Sequence, residues 1–195
     1  MDNSTKYAWA ITLCGVAAML WLKRKQQKQA SFALNPNNIN LMEETNIKLP
    51  RGYRNNNPLN IDYYNAAGKV ANNWQGMTGV EPEGRFAQFR TMPYGYRAAL
   101  ITLRNYIKLH GANTITKMIE RWAPRKADNN NTDNYIRFVA NYTGIDKNRI
   151  IDRNDRDSLI EIVYAMTLFE CGENDLTKSL GLPNKETIKL GWEII

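Results

Sequence analysis

The sequence predicts an α+β domain, mainly helical, with a small antiparallel sheet near its start and one N-terminal membrane helix ahead of it. Three observations carry this. An uncharged apolar run occupies residues 7–22. Short stretches broken by Gly, Pro and Asn fill residues 50–90, as in hairpins. From residue 96 onward the apolar residues recur at spacings of three and four, the helical period.

The first element is YAWAITLCGVAAMLWL, bounded by Lys6 and by Lys23-Arg24-Lys25. Sixteen helical residues span about 24 Å against a hydrocarbon core of about 30 Å, and Trp9, Trp21 and the flanking lysines extend the reach through the interfaces. A buried core helix and a cleaved signal peptide are the alternatives. Against cleavage, residues 1–6 are nearly neutral and the run ends in basic residues rather than in a small-x-small site. Residues 23–49 read as a basic, polar tether, with a helical turn over residues 39–44, and residues 50–195 as the folded domain. The positive cluster follows the span, which by the positive-inside tendency holds the domain on the cytoplasmic side.

Within the domain, Arg51 to Arg54 lead into Asn55-Asn56-Asn57-Pro58-Leu59-Asn60-Ile61, a polar loop that Pro58 and side-chain-to-backbone hydrogen bonds should order. Strand-like stretches follow at residues 61–64, 74–76 and 86–89, with turns at 65–68 and 82–84. Residues 96–110 form an amphipathic helix ended by Gly111, with His110 as a cap beside it. Thr114 caps a helix reaching Trp122 and stopped by Pro124, and Thr132 caps one over 133–142 ended by Gly144. Asp155 or Asp157 opens the longest apolar helix, residues 159–170, stopped by Gly172. A short helix over 185–190 closes the chain.

Composition narrows function before any motif does. The chain has 195 residues, 43% hydrophobic and 23% charged, with net charge +7. That is a folded protein, not a disordered or repetitive one. Two cysteines, Cys14 and Cys171, and a single histidine, His110, make neither a disulfide scaffold nor a four-ligand zinc site, so no metal and no cofactor is expected. The charge, +3 in the first fifty residues and +4 in the rest, attracts any polyanion without choosing among them. No nucleotide-binding glycine loop, nucleophile triad or RNA-binding signature is present, and a specific nucleic-acid partner is not expected.

The residue with most chemical content is Glu170. On a helical wheel it continues the face of Leu159, Val163 and Met166, which should be buried. A carboxyl at the edge of an apolar interior is disfavoured as an anion and can hold and deliver a proton near neutral pH. The plain alternative is a helix-terminal glutamate in water or paired with an arginine. The amides of Asn56, Asn57, Asn60 and Gln88 suit hydroxyl and acetamido groups, and the indole of Trp74 suits a sugar face, though a tryptophan in a small sheet is more often core. Asp62, Glu81 and Glu83 are candidates for a second carboxylate, and Glu43 and Glu44 rival Glu170 from a polar setting.

The segments Arg51-Gly-Tyr-Arg-Asn-Asn-Asn-Pro-Leu-Asn-Ile61, Trp74-Gln-Gly76, Phe86-Ala-Gln-Phe89, Gly95-Tyr-Arg-Ala98, Arg121-Trp-Ala-Pro124 and Asn131-Thr-Asp-Asn-Tyr-Ile136 resemble, in order, a family of bacteriophage and prophage virion proteins. These are similar to lysozyme-like murein-degrading enzymes. The resemblance implies a permuted lysozyme-like domain in which Glu170 faces the residue 55–60 loop and Gln88 across a groove, with Tyr135 among the substrate contacts. It implies cleavage of peptidoglycan glycan strands, by lytic transglycosylase or muramidase chemistry, during genome delivery or lysis. The alternative is a virion membrane structural protein that has lost catalysis. The family's closing Glu-Asn-Gly is Glu170-Cys-Gly172 here, and its Pro-Gly-Asn-Ile-Arg is altered at Leu59 and Asp62, where a glycine would supply a left-handed backbone. The implied partners are peptidoglycan, membrane lipid through residues 7–22, and other virion proteins. The implied location is a virion's internal membrane, with the host inner membrane as the alternative.

Overall fold

The computed structural model describes residues 49–65, 68–70, 72–125 and 131–195. The chain divides into Met1–Lys48 and Leu49–Ile195. The expected membrane span, the tether, Cys14, Glu43 and Glu44 lie outside the described residues. Among the described residues no helix is long and apolar enough to cross a membrane.

The elements run α1 (Arg51–Arg54), β1 (Met77–Val80), β2 (Ala87–Phe89), α2 (Met92–His110), α3 (Ile115–Trp122), α4 (Thr132–Thr143), α5 (Arg156–Cys171), α6 (Asp175–Ser179) and α7 (Lys185–Glu193). Among the described residues the domain is mainly helical with one two-stranded antiparallel sheet, as expected.

Helix α5 is the axis of the fold, packed by α1, α2, α4 and α7. Its Leu159, Ile162, Val163, Ala165 and Met166 are fully buried, and even Thr167 is accommodated because its hydroxyl donates to the Val163 carbonyl at 2.8 Å. Side chains of this size contribute about 1.5–3 kcal/mol each on full burial. Facing residues complete the core: Leu100 and Leu103 from α2, Met118 and Ile119 from α3, Val139 from α4 and Ile188 from α7. A smaller cluster of Ala87, Phe89 and Ala98 joins the sheet to α2.

Several boundaries differ from the sequence reading for identifiable reasons. Helix α2 begins at Met92, one turn before residue 96, because Pro93 sits in the first turn, where no amide N–H is needed. At 19 residues it is longer than the 16-residue α5, which starts at Arg156 with Asp155 as its cap. Residues 74–76 form a turn, and the strand lies just after them, interrupted by a bulge between Met77 and Gly79. The cap of α4 is Asn131, whose side chain accepts from the Asn134 N–H. The Thr132 hydroxyl is instead spent on the Ala123 carbonyl at 2.6 Å, a group left over where α3 ends. Helix α6 is an addition to the sequence reading; its signal is the Asn174/Thr177 capping box. The terminal helix extends to Glu193. Gly111 and Gly144 end their helices in the left-handed conformation, as expected. His110 receives an Arg121 N–H at 2.9 Å.

Candidate functional site

The site is built where α1 crosses the end of α5. Gly52 makes the crossing possible: a Cβ there would stand 2.8 Å from Cys171 Sγ and 3.1 Å from the Asn57 carbonyl. Cys171 donates its thiol to the Pro58 carbonyl at 3.3 Å. Burial, and secondarily the Glu170 charge, push that thiol up to about 12. The close approach brings the loop that follows α1 onto the last turn of α5.

The loop is internally braced. Asn57 is fully buried. Its Nδ2 donates to the Ile61 and Ala87 carbonyls, each at 2.9 Å, and its Oδ1 accepts from the Ile61 N–H at 3.0 Å. Asn56 Nδ2 donates to the Phe89 carbonyl at 2.9 Å. Gln88 Nε2 donates to Asn55 Oδ1 at 3.2 Å, and Asn55 Nδ2 donates to Glu81 Oε2 at 2.6 Å. Two of the asparagines, Asn56 and Asn60, take left-handed backbone, each with φ of 50°. Asparagine is among the few non-glycine residues suited to it. Leu59, where the resemblance would place a glycine, is not left-handed; its side chain is 1% exposed and belongs to the main core. The strained positions therefore flank Leu59, which resolves the glycine question the sequence raised.

Asn60 delivers the loop to the carboxyl. Its Nδ2 donates to Glu170 Oε2 at 3.2 Å. From α4, the Tyr135 hydroxyl donates to Glu170 Oε1 at 3.0 Å. Tyr135 is buried, and its ring stacks on Phe169 with centroids 3.9 Å apart. Burial raises the Glu170 pKa, opposed by hydrogen bonds from Asn60, Tyr135 and the Trp122 side chain and by the Arg85 charge. Burial, and then the Glu170 charge, push the Tyr135 hydroxyl well above its ordinary value. Tyr135 therefore stays a hydrogen-bond donor, and Glu170 is the group that exchanges a proton.

The expected residues are thus divided. Glu170, Asn60 and Tyr135 come together. Asn56, Asn57 and Gln88 spend their amides on the loop and the sheet. Trp74 leans, half-buried, on the Ala87, Phe89 and Ala98 cluster. Among the candidate second carboxylates, Glu81 is 2% exposed and accepts from Asn55 and from the Phe86 N–H at 3.0 Å, with Arg51 Nε at 3.6 Å. Asp62 pairs with Arg85 at 2.9 Å and Glu83 with Arg54 at 3.9 Å, both at the surface. Trp122 is a site residue that the sequence reading misses; its one signal is its place in the Arg121-Trp-Ala-Pro124 segment. Two concavities of about 610 and 660 Å³ lie elsewhere, one bordered by His110 and Arg121, the other by Arg137 and Lys147. Among the described residues no cluster of three His, Cys, Asp or Glu side chains could hold a metal ion.

Fold and site define a class: a small helical α+β domain whose central helix ends in a half-buried carboxyl, roofed by an asparagine-rich loop. No protein-family model matches the sequence. It is, however, 38% identical over 143 residues to Protein P5 of Pseudoalteromonas phage PM2, a stretch covering 73% of this chain and 80% of that protein. The chain belongs to the family of this bacteriophage protein.

Proposed function

We propose that this is a virion protein that cleaves murein glycan strands through a lysozyme-like domain held at a membrane by residues 7–22, with Glu170 as its acid. The carrying observation is the setting of Glu170: a carboxyl at the end of an apolar helix, its proton affinity raised by burial and its two oxygens oriented by Tyr135 and Asn60. A general acid at neutral pH needs that combination of retained proton and fixed direction.

A transglycosylase route fits better than hydrolysis. Glu170 protonates the glycosidic oxygen as the bond to the anomeric carbon breaks. The resulting carboxylate takes the proton of the muramic 6-hydroxyl, whose oxygen closes onto that carbon to give the anhydro sugar. One carboxyl serves both steps and no water is consumed. In support, each rival carboxylate has partners of its own, Glu81 in the interior and Asp62 and Glu83 at the surface. In this reading Asn57 and Asn56 shape the loop, while Asn60, Tyr135, Gln88 and Trp74 border the strand.

The test is to incubate the full chain, in detergent, with murein sacculi and analyse the muropeptides by mass. Anhydro ends that vanish in Glu170→Gln support the reading. New reducing ends mean hydrolysis, and no cleavage, or full activity in Glu170→Gln, refutes Glu170 as the acid.

A second reading is a virion membrane structural protein with an inactive domain. It is favoured by the internal use of the loop amides. It predicts intact sacculi and release of the protein from purified virions by detergent.

A further inference from the structure

One acceptor of the site is left over. Asn60 Oδ1 is buried and has no hydrogen-bond partner, although the Nδ2 of the same amide donates to Glu170. A buried acceptor without a donor is costly and calls for an explanation. With Tyr135 donating to one carboxyl oxygen and Asn60 to the other, the present arrangement suits the anion. Burial favours the opposite state, the neutral acid. A proton on Oε2 that takes the direction of Asn60 meets its N–H, donor against donor.

The surroundings offer little else to receive that proton. The Trp122 indole and the Arg85 guanidinium are donors only. The Cys171 thiol is engaged by the Pro58 carbonyl. Arg51 and Arg54 of α1 face Glu81 and Glu83, and Lys185 of α7 pairs with Glu161, in the first half of α5. The Tyr135 hydroxyl can accept only by turning its own buried proton away from its partner. Asn60 has the missing acceptor already, at the wrong end of its amide. A half-turn about the terminal side-chain bond exchanges two groups of nearly equal size.

We propose that Asn60 is a positioning residue whose side-chain amide turns over with the protonation of Glu170, presenting Nδ2 to the carboxylate and Oδ1 to the acid. In the reaction above, on which this role rests, Asn60 holds the acid's proton in direction until the glycosidic oxygen replaces Oδ1 as its acceptor. After the proton leaves, the amide turns back and Nδ2 steadies the carboxylate for its second task. The left-handed backbone of Asn60 fixes the pivot.

The test is an NMR titration of the full chain in detergent micelles, following the side-chain carboxyl carbon of Glu170 and the side-chain NH2 of Asn60, assigned by their loss in Glu170→Gln and Asn60→Gly. The Asn60 resonances should move with the midpoint of Glu170 and show no such step in Glu170→Gln. Asn60→Gly, which tolerates φ of 50°, discriminates further. An amide that serves both protonation states leaves the Glu170 proton affinity within about threefold when removed. A fixed donor, which serves the anion alone, leaves it about tenfold or more tighter. Asn60 resonances that stay still through the Glu170 midpoint, or a tenfold rise in Asn60→Gly, overturn the proposal. The titration needs no cleavage, so an intact sacculus with a turning amide refutes the proposed enzyme and not this device.

Discussion

Replacing Glu170 by Gln should make the protein more stable above acid pH and, on the proposed function, less active. The shape is preserved and the charge removed. Burial makes the folded molecule bind the Glu170 proton more tightly than the unfolded chain does, so the folded pKa lies above the unfolded one of about 4.3. Below the unfolded value both states are protonated and the group adds no pH dependence. As pH rises toward the folded value the native state holds more protons than the unfolded one, and stability falls. Above the folded value the full cost of the buried charge is present. A glutamine lacks this slope, so its advantage over the wild type should grow across that window and then level off. Each tenfold difference in proton affinity between folded and unfolded states is worth about 1.4 kcal/mol, or roughly 3–6 °C in Tm for a domain of this size. The substituted amide can keep partners: its oxygen accepts from Tyr135, and its new N–H meets Asn60 Oδ1 once that amide has turned over. Urea unfolding at pH 4 and pH 8, followed by tryptophan fluorescence, measures the difference. A Glu170→Gln variant whose relative stability is flat or declines with rising pH would refute the claim that burial dominates at Glu170. Murein cleavage by the same variant should fall about 10²–10⁴-fold, the usual worth of a general acid.

Other expectations concern the frame around the site. Glu81→Gln sets an amide against Asn55 Nδ2 or the Phe86 N–H and should cost at least about 2 kcal/mol by urea unfolding. Gly95→Ala should prevent native folding, read by circular dichroism and solubility, because its Cβ would lie 2.0 Å from the Asn56 carbonyl oxygen. Cys171, with its thiol held up to about 12, should resist iodoacetamide in the native protein at pH 8 and react on unfolding, as peptide mapping would show. Residues 7–22 should carry the full chain to the top of a density gradient with liposomes, and a chain lacking them should stay below.

What the sequence made legible follows from what periodicity records. The run 159–169 announced a central buried helix, and the spacing from Leu159 to Glu170 placed the carboxyl on its apolar face. Periodicity says nothing about where an amide spends its hydrogen bonds. Asn57 and Asn60 look alike in the sequence, yet one latches the loop to β2 and the other reaches the acid. Nor does local pattern separate Asn131 from Thr132 as a cap, since the choice was made by the Ala123 carbonyl, which needed a donor. The resemblance to phage proteins agrees with the kinship to the PM2 protein. The contact that matters most joins residues 110 positions apart, beyond any local rule.

That separation governs when the carboxyl acquires its setting. Asn60 and Glu170 meet only when a loop of 110 positions is closed, which is entropically costly. A nascent or threaded chain therefore carries the residue without its properties, and truncation anywhere before Glu170 removes them entirely. Whatever chemistry resides there waits on a chain folded through both ends of that contact.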